Sequence, residues 1–573
     1  MPQEFSRLIR SFLALAGLMM LAACGGGGGS VDTGVDTPGN PDPGNPGGPG
    51  NPQTVTISGR VTFDRLVFQS TVGNGLDAAN PVVSPARGVL VQAISNGNTL
   101  ASTSTDADGN YSLSVPINTT LTIRASARLQ KTGTAPTWDF TVRNNTNSGA
   151  VYAMQLDSFD SGTTDQERNL HASSGWSGTG YTGTRVAAPF AIVDTAYSVK
   201  QLVLGAEPAA EFPALNLYWS PDNRPSISFC PADGNIGTSI YLSDPTGQAV
   251  DNCGRRLAEG IYILGDFANG NGDTDEFDAH VIAHEMGHYF EDRFSRSDSI
   301  GGEHGPADLL DMRVAFGEGW GHAFGAMALN DPEYRDSSQG VRQDTGFNLE
   351  SGTGARGWFS ELSVGKVLWD IFDDDAESGD NVALGFTPIY RAMVGPQVAT
   401  DALTSIFSFA EGLRAQSGVS SAALRDLLRD EGINGTDELG ENETNDGGIN
   451  PGALRVYERV VINQPPTFVC TSAVAGTFNK LGNNRFLVLD NETARPLQIV
   501  AQGAALNPSQ VAATDPEILV YRRGIVLAAG SNEGGSEAVN ITLDRGRYVI
   551  EVYDDDLSGS QPRCMNVSVT GAP

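Results

Sequence analysis

From residue 54 to about 129, apolar and polar positions alternate in short runs: Val55-Thr56-Ile57, Val89-Leu90-Val91, Tyr111-Ser112-Leu113-Ser114-Val115 and Leu121-Thr122-Ile123, each closed by a turn cluster. A strand sends successive side chains to opposite faces, so this period of two predicts a small β-sandwich. The pattern returns over 466–573. Between the two, the second half of 158–460 changes period, with apolar residues recurring every three to four positions over 277–290, 314–329, 359–372, 401–416 and 421–430, which predicts helices. Its first half mixes both periods, and no internal repeat is present. The expected fold class is multidomain, an α+β unit at 158–463 flanked by two small all-β sandwich domains at 54–157 and 466–573. At 573 residues the chain is too long for one hydrophobic core.

The first 53 residues follow neither period. Arg7 and Arg10 precede an apolar run from Phe12 to Ala22, followed by Ala23 and Cys24; the run is too short to span a membrane and reads as a secretory signal. The Leu21-Ala22-Ala23-Cys24 ending resembles a bacterial lipobox, which implies a signal peptide over 1–24 with Cys24 as the lipidated residue. Residues 25–53, Gly25 to Gly29 and then repeated Pro, Gly, Asn and Asp, cannot form a core and read as an extended tether. Gly directly after the Cys resembles lipoproteins passed on to the outer membrane. A lipid-anchored location there is expected, on the periplasmic face or at the cell surface.

Composition narrows the partners. With 36 Lys+Arg against 68 Asp+Glu, the net charge of −32 repels phosphate backbones, and no nucleic-acid partner is expected. Nothing in the pattern selects an oligomeric state. Apart from Cys24, four cysteines remain for an oxidising compartment; proximity pairs Cys230 with Cys253 and Cys470 with Cys564, each bridge inside one expected domain.

The candidate chemistry lies in His284-Glu285-Met286-Gly287-His288, an HExxH motif within the predicted helix 277–290. Residues four apart share a helix face, so two imidazoles can hold one zinc ion while the intervening Glu reaches a water in the site. Phe277, Val281, Ile282, Tyr289 and Phe290 supply an apolar stripe, and Asp275, Glu276 and Asp278 suit the positive helix N-terminus. A catalytic zinc needs a third protein ligand. Downstream, on the next predicted helix, lies Gly317-Glu318-Gly319-Trp320-Gly321, whose acid has Ala, Phe, Gly and Trp for neighbours and would be costly to bury without a cation, which weighs against a solvated helix face.

An HExxH motif followed thirty residues later by GEGWG resembles the gluzincin zinc metallopeptidases, closest to the fungalysin branch, over about 260–370. The resemblance implies a zincin-type peptidase domain, with His284, His288 and Glu318 as zinc ligands and Glu285 as general base. Two positions depart from that family. It carries Asp four residues after the ligand Glu, where this chain has His322, able to accept a hydrogen bond from a ligand imidazole but without negative charge. Aligning Gly365 with the matching helix puts Leu362 where the family places an oxyanion-stabilising His, and His304 or Tyr390 are the candidate substitutes. His280 lacks an adjacent Glu and reads as a neighbour of the site.

The flanking modules carry looser resemblances: Thr105-Asp106-Ala107-Asp108-Gly109-Asn110-Tyr111 to carboxypeptidase-regulatory-like domains, and Gly546 to Asp554 to pre-peptidase C-terminal domains. Acidic loops raise calcium as a second cofactor, through Asp266, Asn269, Asn271, Asp273 and Asp275, and through Asp373 to Asp375 with Asp380. Their spacing fits no EF-hand loop, and solvated acidic turns are the competing reading. The expected function is that of a membrane-anchored bacterial zinc endopeptidase hydrolysing extracytoplasmic proteins, an extended peptide pairing with a strand at 235–243 or 261–264. The alternative is a catalytically inactive surface adhesion or scaffold lipoprotein whose sandwiches bind protein or glycan. Lipid transfer needs the Cys24 thiol, so Cys24→Ser is expected to accumulate as unprocessed precursor without labelled palmitate; unchanged detergent partitioning would identify an ordinary signal peptide.

Overall fold

The structure, a computed structural model, describes residues 53–571 apart from 245, 352–353, 375–381, 444–454, 506–513 and 560. Cys24, the tether up to Pro52, Asp375 and Asp380 lie outside the described residues. The protein is multidomain, of mixed α and β content, with several sheets. Strand Thr54–Arg65 buries Val55, Ile57, Val61 and Phe63 and pairs antiparallel with Asn110–Pro116 and Val82–Pro85. A second sheet containing Val89–Ser95 and Thr120–Lys131 adds Val89, Val91, Leu121 and Ile123 to the same core. Between strands, Asp106 serves its own turn: its Oδ1 accepts from the N–H groups of Asp108 and Asn110 at 2.9 and 2.8 Å, and Gly109 takes φ +81°.

This sandwich does not close at residue 157. Trp138–Asn144 pairs antiparallel with Thr120–Lys131 and, along its other edge, parallel with Leu215–Trp219, which in turn pairs with Gly260–Ile263. The expected boundary therefore falls inside one continuous sheet. Phe140 and Val142 are fully buried, and a partner along the second edge satisfies backbone groups that an isolated sandwich would expose. Ile240–Leu242 ends this sheet as an edge strand.

Among the described residues the helices longer than one turn are α1 (Ala187–Ala206), α2 (Ala279–Phe294), α3 (Met312–Leu329), α4 (Glu361–Phe372), α5 (Phe386–Val394), α6 (Ile406–Arg414) and α7 (Ser421–Asp430). Periodicity gives no sign of α1, because every residue from Ala187 to Ala196 is buried and no polar face marks a period. α6 is shorter than the predicted 401–416, starting where Ser405 and Ser408 form a capping box. No helix among the described residues is long and apolar enough to cross a membrane.

The C-terminal sandwich has its own core, including Val469, Leu487, Leu497, Ile499, Ile550 and Val567. Tyr457–Arg459, expected within the 158–463 unit, pairs with Arg485–Asn491 and so belongs to this sandwich. Cys470–Cys564 joins neighbouring strands there, and Cys230–Cys253 closes a loop ahead of Gly260–Ile263. The sandwich meets α3 through a buried ion network. Arg313, in the first turn of α3, donates to Asp311 and bidentately to Glu551, all at 2.9 Å; Tyr521 Oη donates to Glu551 at 2.8 Å and Asn484 to Asp311 at 2.9 Å. Burial alone would raise the Asp311 pKa, but the Arg313 guanidinium holds it below the usual range. Removing Arg313 strands two buried carboxylates, so Arg313→Met is expected to cost about 3–5 kcal/mol, read as a lower urea midpoint for the C-terminal sandwich, with Asp311→Asn/Arg313→Met/Glu551→Leu recovering most of the loss.

Candidate metal centre

Three helices converge because α3 presents glycine to its neighbours. A Cβ at Gly321 would sit 2.7 Å from the His284 ring, and one at Gly319 2.7 Å from Val364 Cβ on α4. Trp320 Nε1 donates to Gly287 O at 3.0 Å, fixing α3 against α2 one residue before His288. In this packing His284 Nε2 lies 3.2 Å and His288 Nε2 3.4 Å from Glu318 Oε2, and the two ring nitrogens are 3.0 Å apart. Two imidazoles and a carboxylate are a donor set that zinc takes, and the spacings approach the roughly 3.3 Å edge of a tetrahedron with bonds of about 2.0–2.1 Å.

The charges suit a cation. Burial pushes His284 down to about 3, helped by His322, which keeps its imidazole neutral. Burial opposes protonation of His288, but Glu318 outweighs it and raises His288 to about 9. Glu318 itself lies well below the usual carboxylate range: burial works against this, and His288 leads the imidazoles that overcome it. Glu285, next to the ligand set, is pushed up to about 7, chiefly by burial. The backbone N–H of Tyr241 donates to Glu285 Oε2 at 2.6 Å, which places the free edge of Ile240–Leu242 beside the candidate base. Of the two substrate strands considered, 261–264 overlaps an interior strand paired on both sides, while 235–243 contains this edge.

A second carboxylate completes the arrangement. His322 Nδ1 lies 3.1 Å from His284 Nδ1, and His322 Nε2 is 3.7 Å from Glu361 Oε1. His304 bridges the two acids, with Nε2 3.3 Å from Glu318 Oε1 and Nδ1 3.0 Å from Glu361 Oε2. Glu361 is 1 % exposed; burial raises it, but His304 and His322 bring it down to about 2. Sequence reasoning missed Glu361, because an acid in the first turn of a predicted helix passes for a helix-dipole residue. The signal was its apolar company, the same that singled out Glu318.

The other candidates fall outside this circuit. Tyr390 is not brought to the metal ligands: its ring packs on Phe290 at 5.9 Å and Phe386 at 6.2 Å, since Phe290 faces away from His288 on α2. Leu362 is buried. His280 Nε2 lies 3.0 Å from the Asp331 carbonyl. Of the first acidic loop, Asp266 binds the N–H of Ala268 at 2.8 Å, whereas Asp273 and Asp275 gather with Asp336.

No protein-family model matches the chain, and no curated protein matches it. Solved structures with some likeness include the pre-peptidase C-terminal domain of a collagenase from Bacillus anthracis, 14% identical over 20% of this chain and 93% of that one at a TM-score of 0.15. CorA, a surface-associated copper-binding protein important in copper acquisition by Methylomicrobium album BG8, is 8% identical over 20% and 99% at 0.16. PliG of Aeromonas hydrophila, a periplasmic inhibitor of g-type lysozyme, is 11% identical over 20% and 96% at 0.13. At such TM-scores these likenesses assign neither fold nor activity to this chain.

Elemental analysis of purified variants tests the donor set. His284→Ala, His288→Ala and Glu318→Ala are each expected to fall well below one zinc per chain, whereas His304→Ala and Tyr390→Phe keep the wild-type content. Full zinc in Glu318→Ala would remove that carboxylate from the ligand set.

Proposed function

We propose that the chain is a zinc-dependent endopeptidase built on a zincin-type unit, acting on extracytoplasmic proteins from a lipid anchor at Cys24 in the bacterial outer membrane. One observation carries this reading: His284, His288 and Glu318 converge beside a buried Glu285 at the free edge of a strand. Zinc held there supplies Lewis-acid polarisation of the scissile carbonyl and a water of lowered pKa. Glu285 takes the proton from the attacking water and returns it to the leaving amine. Ile240–Leu242 aligns an extended peptide by backbone pairing. His304, with one ring nitrogen against Glu318 and the other against Glu361, holds those two carboxylates in place and has no N–H left over for developing negative charge.

Replacing Glu285 separates binding from chemistry, because the group accepts a proton and is not among the three ligands. Glu285→Gln is expected to keep near-normal zinc while peptide hydrolysis falls about 100-fold to 10,000-fold. Wild type that holds zinc yet cleaves no member of a peptide library would favour the inactive scaffold, and a fully active Gln variant would remove Glu285 from the mechanism.

A further inference from the structure

Three carboxylates meet, with a fourth beside them, where the N-terminus of α2 touches strand Glu333–Ser338. Asp273, Asp275 and Asp336 each bring an oxygen within 4.8 Å of the others. Asp278, the residue before α2, faces Asp336 and Asp273. Asp275 is 3 % exposed and Asp278 fully buried. Ser239 Oγ donates to Asp275 Oδ2 at 2.5 Å and the Ser337 N–H to Asp278 Oδ2 at 2.7 Å, but the Oδ1 atoms of Asp273, Asp275 and Asp278 are buried with no hydrogen-bond partner. Among the described residues no Lys, Arg or His lies at ion-pair distance from any of the four. Their neighbour Glu276 shows the contrast, since Arg185 meets it at 2.7 Å.

Buried carboxylates without counter-charge cannot all remain ionised. Burial, with repulsion from the other acids, pushes Asp275 and Asp278 well above their ordinary range and Asp336 to about 7. We propose that Asp273, Asp275 and Asp336 bind one calcium ion, with Asp278 adding negative charge beside them, at a site separate from the histidine centre. The donors are all oxygen, which selects a hard cation over zinc, and they come from a loop and a distant strand, an irregular set that calcium accepts more readily than magnesium with its octahedral demand. Water completes the shell. Calcium there ties the 273–278 loop and strand Glu333–Ser338 to the start of the helix that carries His284 and Glu285. The site does not rest on the peptidase reading, and its test does not read activity.

The full chain, stripped of metal and reloaded with one equivalent of zinc, is titrated with calcium chloride and read by equilibrium dialysis and thermal melting. One further calcium per chain is expected, with the melting temperature raised by about 5 °C at about 1 mM calcium. Asp275→Asn and Asp336→Asn each relieve repulsion, so both fold without calcium; each is expected to weaken calcium binding by at least about tenfold with zinc content unchanged. Asp426→Asn, on the exposed face of α7, keeps wild-type binding. No calcium bound by wild type at about 1 mM, or undiminished binding in both cluster variants, overturns the proposal, as does magnesium binding as tightly as calcium.

Discussion

Glu318 and Glu361 are buried carboxylates threaded between imidazoles, and the helical half of the protein is arranged around satisfying them. Burial of a carboxylate is costly unless donors surround it. Glu318 has His284, His288 and His304 within 3.4 Å, and Glu361 has His304 and His322 within 3.7 Å. These groups come from α2, α3, α4 and the loop between α2 and α3, so the circuit fixes how closely those elements approach. The glycines flanking Glu318 and Trp320 follow from that distance: side chains at Gly319 or Gly321 would push α4 or the His284 ring away.

The β modules set the remaining coordinates. The sheet that starts in the N-terminal sandwich runs through Leu215–Trp219 to Ile240–Leu242, whose Tyr241 N–H meets Glu285. At the other end, the Arg313–Glu551 pair anchors α3 five residues before Glu318. The C-terminal sandwich also holds the His304 loop, through Asn479 to the carbonyls of Gly301 and Glu303 and through Lys480 to Glu303. It therefore braces two members of the circuit without touching the ligand atoms.

What the sequence made legible were features written in local spacing: the His284–His288 pair on one helix face, the alternating strands, helices α2, α3, α4, α6 and α7 but not α5, and both disulfide pairings. What it hid were features created by long-range contact. Residues 138–144 read as the end of a sandwich because their second partner lies more than seventy residues on. α1 was silent because it is buried on most sides, and Asp336 gave no hint of joining Asp273 and Asp275 because only the fold brings them together. Glu361 lay in plain view, yet its role depends on His304 and His322 arriving from separate elements.

Glu361 also bears on the departure at His322. A histidine in place of an aspartate removes negative charge next to a ligand imidazole, and a site abandoned to packing would be free to lose it. Here the charge reappears one side chain outward: Glu361 is held anionic and faces His322, which in turn lies against His284. Well-packed apolar residues in such a pocket are often as stable as a buried ionic network, or more so. Two carboxylates and four imidazoles are therefore an expensive way to fill a core. They make physical sense where a cation bound at His284, His288 and Glu318 offsets their burial, so the network argues for a metal at this centre rather than for a core filled by chance.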